Sequence, residues 1–168
     1  MRLSHLLTAA AIVLLAQTPS AFSQQPASAA MEITQAWSRA TPGGAPVGAG
    51  YLALTNRGAE ADRLIGGSSE VAARVEVHEM SMDNGVMKMR ELAAGLEVKP
   101  GETVTLKPGG HHLMLMGLKR ALKEGERFKA QLEFARGGKT EVEFTVQGMG
   151  ASSAPGAMTA PAGHNHNH

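Results

Sequence analysis

The sequence predicts an all-β domain, an antiparallel β-sandwich, on three observations. Short alternating apolar runs recur along the chain, turn signals interrupt them at close intervals, and no long stretch keeps the 3.6-residue period of a helix.

The elements follow in order. Residues 1–23 read as a secretory leader: Arg2 supplies the positive start and Leu6 to Ala16 is almost wholly apolar. Cleavage after Ser23 fits Ala21-Phe22-Ser23, and cleavage as late as residue 29 fits Ala27-Ser28-Ala29. The apolar run is too short for an ordinary membrane span, so no membrane insertion of the mature chain is expected. Gln24 to Ala30 is a polar lead-in, and the folded domain is expected over residues 31–147. Gly48 to Thr55 reads as a strand ended by the turn Asn56-Arg57-Gly58. Val71 to His78 alternates, with Val75 and Val77 on one face and Arg74, Glu76 and His78 on the other. Asp83-Asn84-Gly85 then predicts a tight hairpin, because Asn-Gly accepts the positive φ angles such turns need. The chain resumes as a strand over Val86 to Leu92; Met80 and Met82 fall within the His78 to Met89 group of candidate ligands, with loop residues as the alternative reading.

Leu96 to Val98, Thr103 to Leu106 and His112 to Leu118 are short strands separated by Pro100-Gly101 and Pro108-Gly109-Gly110. Ala121 to Glu126 holds one helical turn at most. Arg127 to Phe134 and Thr140 to Val146 make a final pair around Gly137-Gly138, with Phe128, Ala130, Leu132 and Phe134 on one face. The tail, residues 148–168, is too poor in apolar side chains to repay ordering and is expected to be disordered.

Composition narrows the function. A mature chain of about 140 residues suffices for one domain. Removing Arg2 from the 16 basic residues leaves 15, matched by 15 acidic ones, and the signs alternate along the chain. That balance argues against nucleic acid, which needs a basic face, and against capture by an anionic membrane surface. The sequence holds ten methionines, seven histidines and no cysteine. Disulfides, a CxxC site, a thiolate nucleophile and a blue-copper thiolate are thereby excluded. Thioethers favour Cu(I), and imidazole suits copper, nickel and zinc. The ordinary alternative is that methionine fills the core.

Period-2 arithmetic groups these ligands. His112 and Met114 leave one face of a strand, Leu113 and Leu115 leave the other, and Met116 continues the His112 face. Met87 and Met89 share a face opposite Lys88. If these segments or their ends adjoin, which spacing does not show, they present His78, Met89, His112 and Met114 to one ion, with His111, Met87 and Met116 as auxiliaries. Spacing alone leaves the alternatives standing: Met87 and Met116 as core or rim filler, His78 and His111 as ordinary surface histidines.

The runs Val75-Glu76-Val77-His78-Glu79, Gly85-Val86-Met87-Lys88-Met89-Arg90 and Leu106 to Leu118 resemble the periplasmic copper chaperone family PCu(A)C. Trp37-Ser38-Arg39-Ala40 and Gly50 to Asn56 resemble its opening, so the likeness spans Glu32 to Val146. The family signature is a His, ten residues, a Met, a longer gap and His-x-Met. Here ten residues separate His78 from Met89, and twenty-two separate Met89 from His112. The resemblance implies a cupredoxin-like β-sandwich binding Cu(I) through His78, Met89, His112 and Met114. It further implies a periplasmic location and copper delivery for cytochrome c oxidase assembly. The partners implied are a thioredoxin-like assembly protein and the oxidase subunit itself. Some members carry a Met/His-rich C-terminal extension like this tail.

Within the tail, His164, His166 and His168 alternate with asparagines, and Met149 and Met158 precede them. A flexible tract of this composition suits Cu(II) or a second copper. Three rivals are a copper buffer without specific delivery, a metal-free β-sandwich, and a copper enzyme or electron carrier. The last ranks lowest, because no acid/base pair or nucleophile stands near the motifs.

Overall fold

A computed structural model describes residues 30–156. The leader and residues 157–168, which carry Met158, His164, His166 and His168, lie outside the described residues.

Ten strands form the domain: β1 (Met31–Arg39), β2 (Val47–Asn56), β3 (Asp62–Ser69), β4 (Ala72–Asp83), β5 (Val86–Glu91), β6 (Leu96–Val98), β7 (Thr103–Leu106), β8 (His111–Leu118), β9 (Arg127–Phe134) and β10 (Gly138–Gln147). Neighbours run β5-β4-β8-β2-β1-β10-β9-β3-β6, and β3 also pairs with β4. Seven strands (β4, β8, β2, β1, β10, β9 and β3) therefore close on themselves, which removes exposed edges from the main sheet. β5, β6 and β7 extend from β4, β3 and β2.

The all-β expectation holds, with two differences. The sheet closes, and the pair that helps to close it, β1 with β10, is parallel while the other pairs are antiparallel. Ala121 to Glu126, given one helical turn at most, carries a turn and no helix.

Alternation builds the core. Phe128, Ala130, Leu132 and Phe134 of β9 are all buried, as are Phe144 and Val146 of β10. Register sets Phe128 opposite Phe144, and their rings stack at 5.2 Å between centroids. Leu113 and Leu115 of β8 and Val75 and Val77 of β4 complete the inward face beside Leu52 and Leu54.

The first residues beyond β10 depart from the disorder expected of the tail. Arg39 Nε donates to the Ala151 carbonyl at 2.8 Å, and Ala154 is buried with Trp37 and Tyr51. An aromatic pair on the outer surface gives these small residues something to cover.

Candidate metal centre

The site is set by register on three adjacent strands. β4 pairs β8 with His78 opposite His112 and Glu76 opposite Met114. β4 pairs β5 with His78 opposite Glu91, Met80 opposite Met89 and Met82 opposite Met87. Because side chains alternate, Glu76, His78, Met80, Met89, Glu91, His112 and Met114 all leave the same face. Leu113, Leu115, Val75 and Val77 leave the other and pack in the core.

His78, His112 and Met114 are thus immediate cross-strand neighbours. Met89 is diagonal to His78, a relation of roughly 7–8 Å along the backbone that a long side chain spans. His78 and His112 are buried, Met114 is half-buried and Met89 is 52% exposed. The set therefore grades from the barrel wall to solvent.

The other sequence candidates fall elsewhere. His111 leaves the opposite face, with Nε2 3.5 Å from Glu79. Met116 lies further along β8, opposite Arg74 and Val47, at the end away from the hairpin. Met87 continues the Met89 face outward, and Met149 is exposed beyond β10. Met80 and Met82 are strand residues of β4, not loop residues, because the hairpin keeps pairing up to Asp83 and Val86.

Each histidine has one nitrogen engaged. His112 Nδ1 lies 3.0 Å from the Gly110 carbonyl, an acceptor only, so Nδ1 donates and Nε2 keeps the lone pair of the neutral ring. His78 Nε2 lies 2.9 Å from Glu76 Oε2. The Glu76 carboxyl is held below its ordinary value, first by that hydrogen bond and next by Arg74, so it is an ionised acceptor. In the neutral ring, His78 Nε2 therefore donates and Nδ1 holds the lone pair. That Nδ1 is buried without a partner. A buried acceptor left unmatched is costly, and neutral imidazole is the commonest side-chain ligand of metal ions, so an ion would supply the missing partner.

Separation agrees with a shared ion. The two ring centroids are 5.9 Å apart. An ion about 2 Å from one nitrogen of each ring lies about 3.2 Å from each centroid, so rings up to about 6.4 Å apart can share it. Burial keeps the His112 imidazole below its ordinary pKa, partly offset by the Gly110 hydrogen bond, which favours the neutral, ligating form.

Sequence reasoning missed Glu76 and Glu91, although Glu76 shares His78's face by period 2. One oxygen of each carboxylate and a His78 nitrogen lie within 4.8 Å of one another. Glu76 fixes the ring as an outer partner of the kind that orients metal-binding histidines.

Residues 31–146 match the LpqE-like family. A Leifsonia xyli subsp. xyli protein, "Putative lipoprotein Lxx21020", is 32% identical over 117 residues, covering 70% of this chain and 69% of that one. Among solved structures, the apo PmoF2 PCuAC domain superposes with a TM-score of 0.61 at 24% identity, covering 74% of this chain and 95% of that one. The copper-bound PCuAC domain from PmoF2 gives 0.60 at 24% identity, over 71% and 93%. The described strands thus have the PCuAC fold.

Proposed function

The chain belongs to the LpqE-like family, and on that footing we propose that it is an exported copper chaperone carrying Cu(I) as cargo on His78, Met89, His112 and Met114. The observation that carries this reading is the buried, unpartnered Nδ1 of His78 on the ring that faces His112 across the β4–β8 pair. Two imidazoles and two thioethers are neutral, soft-to-borderline donors that suit Cu(I). The copper-bound neighbour of the same fold is consistent with that cargo.

A site of neutral ligands, graded from buried histidines to an exposed Met89, opens one ligand at a time. That property suits transfer to a partner that offers thiolates. The periplasm is the compartment proposed, and cytochrome c oxidase assembly the use, through a thioredoxin-like acceptor or the oxidase subunit. The tail histidines would hold Cu(II) or a second copper at high effective concentration near the domain.

Anaerobic competition titration against a Cu(I) chelator tests the cargo. The double variant His78→Ala with His112→Ala should lose the Cu(I) bound at this centre while keeping the strand fold. Unchanged Cu(I) affinity in that variant would reject the reading. Transfer to an apo acceptor, faster than to a non-cognate thiol protein, separates delivery from buffering.

A further inference from the structure

The geometry points to a second soft-metal site on the β4–β5 hairpin, in which Met80, Met82 and Met87, with Met89 at its inner edge, bind a monovalent ion such as Cu(I) or Ag(I). Register sets Met80 opposite Met89 and Met82 opposite Met87, so four thioethers share one face in two directly opposed pairs. Opposed residues place their Cβ atoms about 4.5–5.5 Å apart, and rotation about χ1 and χ2 of each unbranched methionine swings its sulfur toward a common ion.

Packing does not account for these side chains. β8 accompanies β4 only as far as Glu79, so the hairpin beyond it stands clear of the barrel. Met82, Met87 and Met89 are 64%, 50% and 52% exposed. The opposite face supplies the hairpin's polar ties: Arg90 donates to Glu79 at 2.7 Å, and Lys88 donates to Asp83. The turn is held by Asn84 and Gly85, both at positive φ, which fixes the register. A one-residue slip would alternate thioethers with charges and dissolve the patch.

The patch is continuous with the centre described above. Met80 is two residues from His78 on the same face, and Met89 is diagonal to it. Passage of an ion from hairpin to histidines rests on the copper reading of that centre. Binding at the hairpin does not, and the test separates the two.

The full chain, labelled at the methionine methyl carbons, is titrated with Ag(I) and followed by NMR, each methyl being assigned by substitution. In the variant His78→Ala with His112→Ala, the methyls of Met80, Met82 and Met87 should still shift, saturating with about one equivalent. The second variant, Met80→Leu with Met82→Leu, keeps apolar bulk but removes two sulfurs. It should weaken hairpin binding at least tenfold and leave the Met114 response intact. Hairpin methyls that stay still in the wild type while Met89 and Met114 shift would overturn this site and leave the histidine centre standing. A Met114 methyl that stays still while the hairpin shifts would keep this site and reject the centre. Leucine variants that bind Ag(I) as the wild type does would mark the patch as merely apolar and overturn the proposal.

Discussion

Glu76→Ala should weaken Cu(I) binding without touching a copper ligand. The Glu76 carboxylate accepts from His78 Nε2 at 2.9 Å, and its other oxygen pairs with Arg74. The two side chains are 14% and 11% exposed, so water screens their contact poorly. A hydrogen bond to a charged partner of this kind contributes about 1.5–3 kcal/mol. Losing it frees the His78 ring to turn and to change tautomer, which converts to roughly 10–150-fold in affinity. That range overlaps the 10–100-fold losses typical of outer partners of metal-binding histidines. Glu76→Gln should fall between, since the amide oxygen still accepts but carries no charge. Anaerobic chelator competition reads the affinity, and thermal unfolding of the metal-free variants checks the fold. Wild-type affinity in Glu76→Ala, with the fold intact, would refute the argument that this contact orients His78.

Burial depresses the His112 pKa, so as pH falls through about 6.5 the unfolded chain takes up that proton before the native one does. The metal-free protein should lose stability from about pH 6.5 downward and be flat in this contribution above it. His112→Asn should flatten the difference in Tm between pH 7.5 and 5.5. Phe144→Ala empties one side of the stacked, fully buried pair and should cost about 3–5 kcal/mol in denaturant unfolding. Deleting residues 157–168 should lower copper stoichiometry while leaving Cu(I) affinity at the domain unchanged. A deletion starting at Ala151 should also cost stability, because Ala154 packs on Trp37 and Tyr51.

The legible elements are those whose signals are local. Asn84-Gly85 announces its turn, and the phenylalanine alternation of β9 announces a buried face. The position of His78 opposite His112 follows from two strands that each read correctly, but their adjacency comes from long-range pairing that spacing does not contain. β1 and β3 carry no clear strand signal in sequence, for separate physical reasons. In β1 a bulge shifts register between Thr34 and Trp37, with Gln35 at a φ of 54°, so the period-2 pattern breaks mid-strand. In β3, Gly66-Gly67-Ser68-Ser69 looks like a turn by composition. A Cβ on Gly66 would sit 2.8 Å from the Val75 carbonyl oxygen, and one on Gly67 only 2.2 Å from that of Gln131. Those glycines let β3 press between β4 and β9, which is a packing role that reads as a turn in sequence. The loop reading of Met80 and Met82 conceals the methionine face of the hairpin. The parallel β1–β10 pair leaves no local mark at all.

The central claim is that two imidazoles and two thioethers on one face of β5, β4 and β8 hold Cu(I). X-ray absorption of the protein loaded anaerobically with one equivalent of Cu(I) tests it most directly. The loaded protein should show a reduced-copper edge and a mixed shell of nitrogen and sulfur neighbours. Substituting Met89 and Met114 by Leu should lower the sulfur contribution, and substituting His78 and His112 by Ala should remove the nitrogen. A shell of nitrogen and oxygen alone in the wild type, or a mixed shell that survives the loss of both histidines, would contradict it.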